Sequence, residues 1–221
     1  MPTIPKRHTQ SPRLYVSESL VYAPDSTIQV GDPYGIDPST GMDYPWRDLV
    51  GAIDVKGTGS ADPSWSPITG LGGMYAYQFS ATVMKEVWVM YHIDHDYAAG
   101  TPIYLHCHWV NDAASPNTGT VRWGFEYTVA KGHQQQAFPA TTTVYAQQNC
   151  SATRYMHHIA EVSLADAVPA TNLEPDSILM VRIFRDAATD TCTDAVDLLL
   201  ADCHYQAAKF GTKNKAPNFN T

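Results

Sequence analysis

From Trp46 onward the chain consists of short runs of β-type residues separated by turn residues, and this alternation limits the fold more than any other feature. Short strands divided by turn clusters are typical of antiparallel sandwiches and barrels. The sequence therefore predicts an all-β protein. The predicted strands lie within residues 49–55, 74–90, 103–110, 121–130, 141–147, 154–162, 178–185 and 196–206.

The alternation has a period of two, which is clearest around the third predicted strand. In a strand successive side chains point to opposite faces of the sheet. Leu105, Cys107 and Trp109 therefore share one face, while His106 and His108 share the other. The first face is apolar and predicts core residues, and it makes Cys107 a small core side chain rather than a nucleophile paired with either histidine.

Only one segment, residues 160–167, has the pattern of a helix, and it is short and ends before Pro169. Two longer loops are predicted at residues 57–73 and 187–195, where turn-forming residues are frequent. The glycines at the start of the first loop are not followed by a phosphate-binding sequence.

The first 48 residues are rich in proline, serine, aspartate and tyrosine, and they predict an extended N-terminal arm that contacts a partner. A strand at 14–23 is expected within it. The alternative is that residues 1–48 form a loop-rich part of the core domain. We assign residues 49–210 to the β-sandwich and 211–221 to a C-terminal tail.

Charge and composition exclude some partners. The formal net charge is −8 and the basic residues are scattered, so the chain is not expected to bind nucleic acid. No apolar run approaches the roughly 18 residues of a membrane helix, and no membrane association is expected. Only 16% of residues are charged and 11% are aromatic, which favours a surface partly covered by a protein partner.

The 4 cysteines have no CxxC spacing, and no apolar signal segment is evident near Met1. We therefore expect reduced thiols in a protein that is made in a cytoplasm.

His106 and His108 form the sharpest candidate for a site, because two imidazoles on one strand face can begin a metal site. In a cupin metal motif a glutamate follows three or four residues after the second histidine. The only possible ligand in that part of this chain is Asp112, so the pattern departs from the motif. If the strand containing Asp202 and His204 pairs with this one, His106, His108 and His204 could converge. The favoured interpretation is that these imidazoles hydrogen-bond neighbours or a partner chain. We therefore assign no catalytic, cofactor or metal residue, with His106, His108 and His204 the ligands if a metal is bound.

Other polar groups predict structure rather than chemistry. Residues 92–96 are expected to form a solvated turn, and residues 156–158 a strand edge or interface. Glu126 and Arg122 share a strand face and predict an ion pair. Arg182 and Arg185, with Asp186 nearby, are also expected in ion pairs between strands.

Five strings in one order resemble a group of tailed-bacteriophage virion structural proteins. They are YLHCHW at 104–109, GTVRWGFEY at 119–127, FPATTT at 138–143, SILMVRIFRD at 177–186 and ADCHYQ at 201–206. The resemblance covers roughly residues 74–210. It implies a β-sandwich of jelly-roll type that packs against other virion proteins, with no catalytic residues.

The resemblance leads to a first hypothesis, a non-enzymatic cement or decoration protein of a phage head. It would bind the major capsid protein, or other virion proteins, as a homotrimer, and it would be located in the virion after synthesis in the host bacterial cytoplasm. The alternative is a neck, tail or fibre component that attaches other virion parts or binds a host surface. A third hypothesis is a metal-dependent jelly-roll enzyme using His106, His108 and His204.

The arm hypothesis can be tested by deleting residues 1–30. We expect the shortened chain to fold, because the predicted core strands remain, and to be lost from particles, because the arm contacts the partner. Circular dichroism and quantification of the chain in purified particles measure the two effects. An unfolded product would assign the arm to the core domain.

Overall fold

The computed structural model describes residues 20–22, 28–30, 44–57, 61–208 and 211–219. The protein is an antiparallel β-sandwich of jelly-roll type, as the sequence predicts. Within the described ranges there is no α-helix, and accordingly none long and apolar enough to span a membrane.

Thirteen strands are present in the described part of the chain. In chain order they are β1 (Leu20–Tyr22), β2 (Ile28–Val30), β3 (Trp46–Gly51), β4 (Ile53–Asp54), β5 (Ser64–Pro67), β6 (Tyr75–Phe79), β7 (Glu86–His92), β8 (Tyr104–Val110), β9 (Thr120–Lys131), β10 (Thr142–Asn149), β11 (His158–Glu161), β12 (Ser177–Arg185) and β13 (Val196–Gln206). Two short 3₁₀ helices cover Leu164–Asp166 and Ala170–Asn172.

Two sheets form the sandwich. The five-stranded sheet has the order β10-β9-β12-β7-β4, and the six-stranded sheet has the order β11-β8-β13-β6-β5, with β3 also paired to β13. All pairings between these strands are antiparallel. Strands β1 and β2 pair with each other as a separate hairpin.

Most predicted elements agree with the structure, and three of them, namely one strand run, one loop and one helix, differ. The run 74–90 contains two strands, β6 and β7, joined by a turn in which the Ser80 hydroxyl accepts hydrogen bonds from the backbone N–H groups of Thr82 and Val83. Strand β5 lies inside the predicted loop 57–73. The predicted helix at 160–167 is wrong, because β11 continues to Glu161 by pairing with β8 and only a 3₁₀ turn follows.

The ends of the sandwich differ slightly from the predicted boundaries. Strand β3 begins at Trp46, inside the range assigned to the arm, because it pairs with β13. Most of the predicted arm lies outside the described residues, as does most of the predicted strand at 14–23. In the predicted tail, the Phe219 ring contacts the His95 and His133 rings at centroid distances of 5.8 and 5.5 Å.

The core lies between the two sheets, where the apolar faces of the strands meet. Trp109 of β8 and Trp123 of β9 are fully buried, with ring centroids 6.4 Å apart, and Phe79 contacts Trp123 edge-on at 5.0 Å. Burying each such side chain contributes about 1.5–3 kcal/mol. Leu105, Cys107 and Trp109 all face this core, which confirms the predicted inward face of β8.

A fully buried arginine organises the loop between β12 and β13. Arg185 Nε donates to Asp190 Oδ2 at 2.6 Å, and its remaining nitrogens donate to backbone carbonyls of Phe79, Cys192 and Asp194. A buried charge is tolerated only when it is paired and hydrogen-bonded. The predicted loop 187–195 is therefore held to the core by a polar centre.

The structure contains ion pairs between strands, but the predicted pair of Glu126 with Arg122 is not among those of the described residues. Arg182 contacts both Glu86 and Glu126 at 2.6 Å, while Arg122 contacts Asp186 at 2.7 Å. The predicted Glu126–Arg122 pair is wrong because strand residues four apart are separated by about 13 Å along the strand. Residues opposite each other on neighbouring strands, such as Arg182 and Glu126, lie much closer.

Asp197 of β13 gives the sandwich a pH-dependent stability. It is fully buried, and burial, together with the charge of Asp112, raises the pKa of its carboxyl to about 7. In the unfolded chain an aspartate titrates near 3.9. The folded state therefore binds the proton more tightly, so stability is highest below pH 4 for this group and falls as the pH rises to about 7.

We expect Asp197→Asn to remove this loss of stability with rising pH. Each pKa unit corresponds to about 1.4 kcal/mol. The variant's gain in free energy of unfolding over the wild type should therefore be larger at pH 8 than at pH 4 by roughly 4 kcal/mol. Denaturant unfolding at both values measures the effect. The control is Asp54→Asn at an exposed position of β4. An unchanged pH profile for Asp197→Asn would contradict this assignment.

Candidate functional site

The outer face of the six-stranded sheet carries a cluster of histidines and carboxylates built by strand register. His106 of β8 lies opposite Asp202 of β13 on one side and opposite Glu161 of β11 on the other. His204 lies opposite Asp48 of β3. We call this group the histidine cluster, and its members are Asp48, His106, His108, His157, Glu161, Asp202 and His204.

The pairing of β8 with β13, on which the convergence of the predicted histidines depends, is present. The His106 ring stacks on the His204 ring with centroids 4.1 Å apart, and it meets the His108 ring edge-on at 5.1 Å. The structure thus brings together His106, His108 and His204. Asp112, the other residue considered as a ligand, lies elsewhere and accepts a hydrogen bond from Thr69 N at 2.7 Å.

Asp202 is the acidic centre of the cluster. Its Oδ1 lies 2.7 Å from His106 Nε2 and 3.3 Å from His108 Nε2. His106 is 1% exposed and Asp202 is 3% exposed. Two of the polar groups are therefore buried although they lie on the outer face, because neighbouring rings and carboxylates cover them.

His204 is held by carboxylates on both sides. Its Nε2 lies 3.0 Å from Asp48 Oδ1, and its Nδ1 is hydrogen-bonded to Glu161. The hydrogen bond to Glu161 raises the pKa of the His204 imidazole against the opposing effect of burial. Both ring nitrogens of His204 are thus in contact with acidic oxygens.

His108 differs from His204 in its surroundings. Burial lowers the pKa of its imidazole, although the charge of Asp202 acts in the opposite direction. Its Nδ1 lies 2.7 Å from His157 Nε2. One nitrogen of His108 is therefore turned to His157 and the other to Asp202.

Two members of the cluster were missed by sequence reasoning. Glu161 fell where the predicted strand at 154–162 overlaps the predicted helix at 160–167, and Asp48 was the last residue of the predicted arm. Both belong to strands that pair in the six-stranded sheet. The predicted strand at 154–162 already contains Glu161, and its period-two pattern, with Ala160 facing inward and Glu161 facing outward, is the signal that could have identified this residue.

The turn predicted at residues 92–96 is present, with Tyr97 N donating to Asp94 O, and two of its histidines also belong to a second polar cluster. The Asp176 carboxylate contacts His92, His95 and His133 at 3.0, 3.1 and 2.7 Å. Burial raises the pKa of Asp176, but the His133 hydrogen bond and the charges of His95 and His92 outweigh it and lower the value. This cluster joins three loops and the tail at one end of the sandwich.

Large apolar side chains surround the histidine cluster on the same outer face. Trp46 and Val50 of β3 are 42% and 58% exposed, and Ile159 of β11 is 43% exposed. Register places Val50 opposite Asp202 and Ile159 opposite His108. The outer face of the six-stranded sheet therefore has the histidine cluster at its centre and exposed apolar side chains around it.

Aromatic rings also lie at the β5–β6 edge of this sheet. Trp65 and Tyr75 are 59% and 50% exposed, with ring planes 23° apart and centroids separated by 6.0 Å. Tyr77, opposite Trp65 in the register, lies 4.8 Å from the Trp65 ring. Together these three side chains form a partly exposed aromatic surface.

The cysteines occupy buried positions. Burial raises the pKa of Cys107, consistent with a core side chain. Cys150 and Cys192 carry free thiols whose sulfur atoms are 3.0 Å apart, a proximity that their spacing in the sequence does not indicate. The hydrogen bond from Cys150 lowers the pKa of the Cys192 thiol.

Comparisons with known proteins give distant structural similarity only. No family model and no curated protein matches the sequence. The chain is similar to the CBM22-1–GH10 modules of the Clostridium thermocellum N-terminal endo-1,4-β-D-xylanase 10B complexed with xylohexaose, with 13% identity and a TM-score of 0.33 over 84% of this chain and 30% of that chain. It is also similar to TmCBM27, a carbohydrate-binding module with specific mannan recognition. The identity is 12% and the TM-score is 0.28, over 73% of this chain and 89% of that chain. This chain thus spans less than a third of the length of the xylanase structure, and its function must be argued from its own residues.

Proposed function

We propose that this chain is a non-enzymatic structural protein of a tailed-phage virion. In this proposal it is a head cement or decoration protein, acting as a homotrimer that binds the major capsid protein through the outer face of the six-stranded sheet. The observation that carries the proposal is the group of exposed apolar side chains on that face, formed by Trp46, Val50 and Ile159.

Exposed apolar side chains on one sheet face favour a protein partner. Large apolar patches on soluble proteins commonly mark interaction sites. Here the apolar residues are contributed by β3 and β11, on both sides of the paired strands β8 and β13, so a flat partner surface could contact both. Hydrogen-bonding groups of the histidine cluster lie between them and could give such a contact specificity.

Energetics and charge are consistent with this role. Each apolar Å² buried at an interface contributes about 25 cal/mol, and many copies on a shell would together oppose the outward pressure of packaged DNA. The net charge of −8 does not conflict, because a protein on the outer surface of the head does not contact the genome. The strings that resemble virion proteins include most of β8, β9, β12 and β13, the central strands of the two sheets.

The location and copy number of the chain in purified particles test the proposal. Heads and tails are separated, and the chain is quantified by mass spectrometry against the major capsid protein. Hundreds of copies on heads are expected for a cement protein. Absence from virions, or a few copies on tails, would overturn the head assignment.

Charge substitutions on the outer face test which surface binds. We expect Val50→Asp and Ile159→Asp to leave the fold intact, because both side chains are exposed, and to reduce incorporation into particles at least about tenfold. The control is Met90→Asp, at a 60% exposed apolar position on the five-stranded sheet. Normal incorporation of both outer-face variants, or equal loss in the control, would contradict the proposed surface.

The aromatic surface at β5–β6 favours a second candidate function, a neck, tail or fibre component that binds host-surface glycan. Trp65 and Tyr75 expose nearly parallel rings, and such rings offer flat apolar area to the C–H face of a sugar. In this case the chain would be found with tails rather than heads.

Glycan binding is tested by presenting the purified chain to cell-surface polysaccharide of the host. If the second candidate holds, Trp65→Ala should reduce binding about tenfold, because it removes the central ring of the surface. Phe138→Ala, at a 46% exposed aromatic position away from β5 and β6, is the matched control. Absence of binding by the wild type, or equal binding by both variants, excludes this candidate.

A further inference from the structure

The centre of the histidine cluster contains buried polar atoms that face one another without a hydrogen bond of proper geometry. His106 Nε2 and Asp202 Oδ1 are only 2.7 Å apart. Neither of these atoms, nor His106 Nδ1, has an aligned hydrogen-bond partner among the described residues. Both side chains are more than nine-tenths buried, so water does not satisfy them from bulk solvent.

Two ligand atoms that share a metal ion lie close together without forming an aligned hydrogen bond to each other. In a hydrogen bond, the N–H bond points at the acceptor oxygen. When two ligands share a metal ion, the ring nitrogen and the carboxylate oxygen both point at a third position and lie beside each other. The His106–Asp202 contact fits the second arrangement, because the distance is short and the direction is wrong for the first.

His108 supplies a third ligand atom at the same place. Its Nε2 lies 3.3 Å from Asp202 Oδ1, and one ligand atom from each of His106, His108 and Asp202 lies within 4.8 Å of the others. Tetrahedral zinc with bonds of about 2.0–2.2 Å separates its ligand atoms by about 3.3 Å. The His108–Asp202 spacing already matches, and the His106–Asp202 spacing needs to open by about 0.6 Å.

We propose that His106, His108 and Asp202 bind one divalent transition-metal ion, with Zn²⁺ as the favoured ion, on the outer face of the six-stranded sheet. Two imidazoles and a carboxylate suit Zn²⁺, and they are also the ligand set that binds Fe²⁺. With three protein ligands, at least one coordination position is left for water or a partner side chain. The proposal does not depend on the virion role, since the isolated chain provides all three ligands.

This ligand set replaces His204, which the sequence hypothesis included, with Asp202. His204 has its two ring nitrogens in contact with Asp48 and Glu161, so neither is turned toward Asp202. Asp48, His106 and His204 form a second possible group within the described residues. The two groups share His106 and predict different effects of substitution at His108 and His204.

The surroundings of the three ligands support them. Metal-binding histidines usually turn their second ring nitrogen to a carboxylate or another polar group, which fixes the ring. Glu161 Oε2 lies 3.7 Å from His106 Nδ1, and His157 Nε2 lies 2.7 Å from His108 Nδ1. Both candidate ligating rings therefore have a polar neighbour on the side away from Asp202.

The first experiment measures metal in the full-length protein. The purified chain is stripped with a chelator, reloaded with Zn²⁺ or Co²⁺ and dialysed, and its metal content and melting temperature are determined. We expect one equivalent of metal per chain and a higher melting temperature with metal, because an ion that binds only the folded state stabilises it. No retained metal, together with an unchanged melting temperature, would overturn the proposal.

Substitutions then assign the site. We expect His108→Ala and Asp202→Asn each to weaken Zn²⁺ binding by more than about 100-fold, and Glu161→Gln, next to a ligand, by about 10-fold. His92→Ala, an exposed histidine at the other cluster, is the matched control and should bind normally. His108 is partly exposed, so its variant should fold even if Asp202→Asn does not.

The Co²⁺ absorption spectrum provides a readout that folding alone does not change. We expect the ligand-field bands of bound Co²⁺ to be lost in His108→Ala and kept in His92→Ala. Binding that survives in His108→Ala but is lost in His204→Ala would overturn the proposed ligands in favour of the Asp48 group. Equal loss in the His92→Ala control would also overturn them, because it would place the ion at Asp176.

Discussion

The pairing of β8 with β13 is the interaction on which both the core and the candidate site depend. One face of this strand pair supplies Leu105, Cys107 and Trp109 to the interior of the sandwich. The other face sets His106 directly opposite Asp202. Because a shift of one residue would exchange the two faces, the burial of the apolar side chains also determines the position of the histidines.

The period-two pattern made much of this predictable. It separated His106 and His108 from the core residues of β8, and it placed Asp202 and His204 on one face of β13. What remained open was whether the two strands are neighbours, since strand order depends on contacts between residues far apart in the sequence. Once β8 and β13 pair, the approach of His106, His108 and Asp202 follows from register.

The failures of prediction share a physical cause, because each involves a residue whose structure is decided by a distant partner. Glu161 belongs to both a predicted strand and a predicted helix, and pairing with β8 makes it part of a strand. Glu126 pairs with Arg182 across strands rather than with Arg122 on its own strand. Arg185 is fully buried because it pairs with Asp190 and donates to three backbone carbonyls, one of them that of the distant Phe79 in β6, and no local pattern indicates that arrangement.

The outer face of the six-stranded sheet combines two kinds of surface that have different energetic requirements. The exposed apolar side chains, such as Val50 and Ile159, would stabilise the proposed contact with a partner, and their burial needs no compensating hydrogen bond. His106 and Asp202 are already buried in the isolated chain, and buried polar groups cost free energy unless they are satisfied. An apolar pair at these positions would cover the sheet at lower cost. The proposed cation would supply the missing interaction for both groups, and it would account for polar residues at the centre of a face whose surround is apolar.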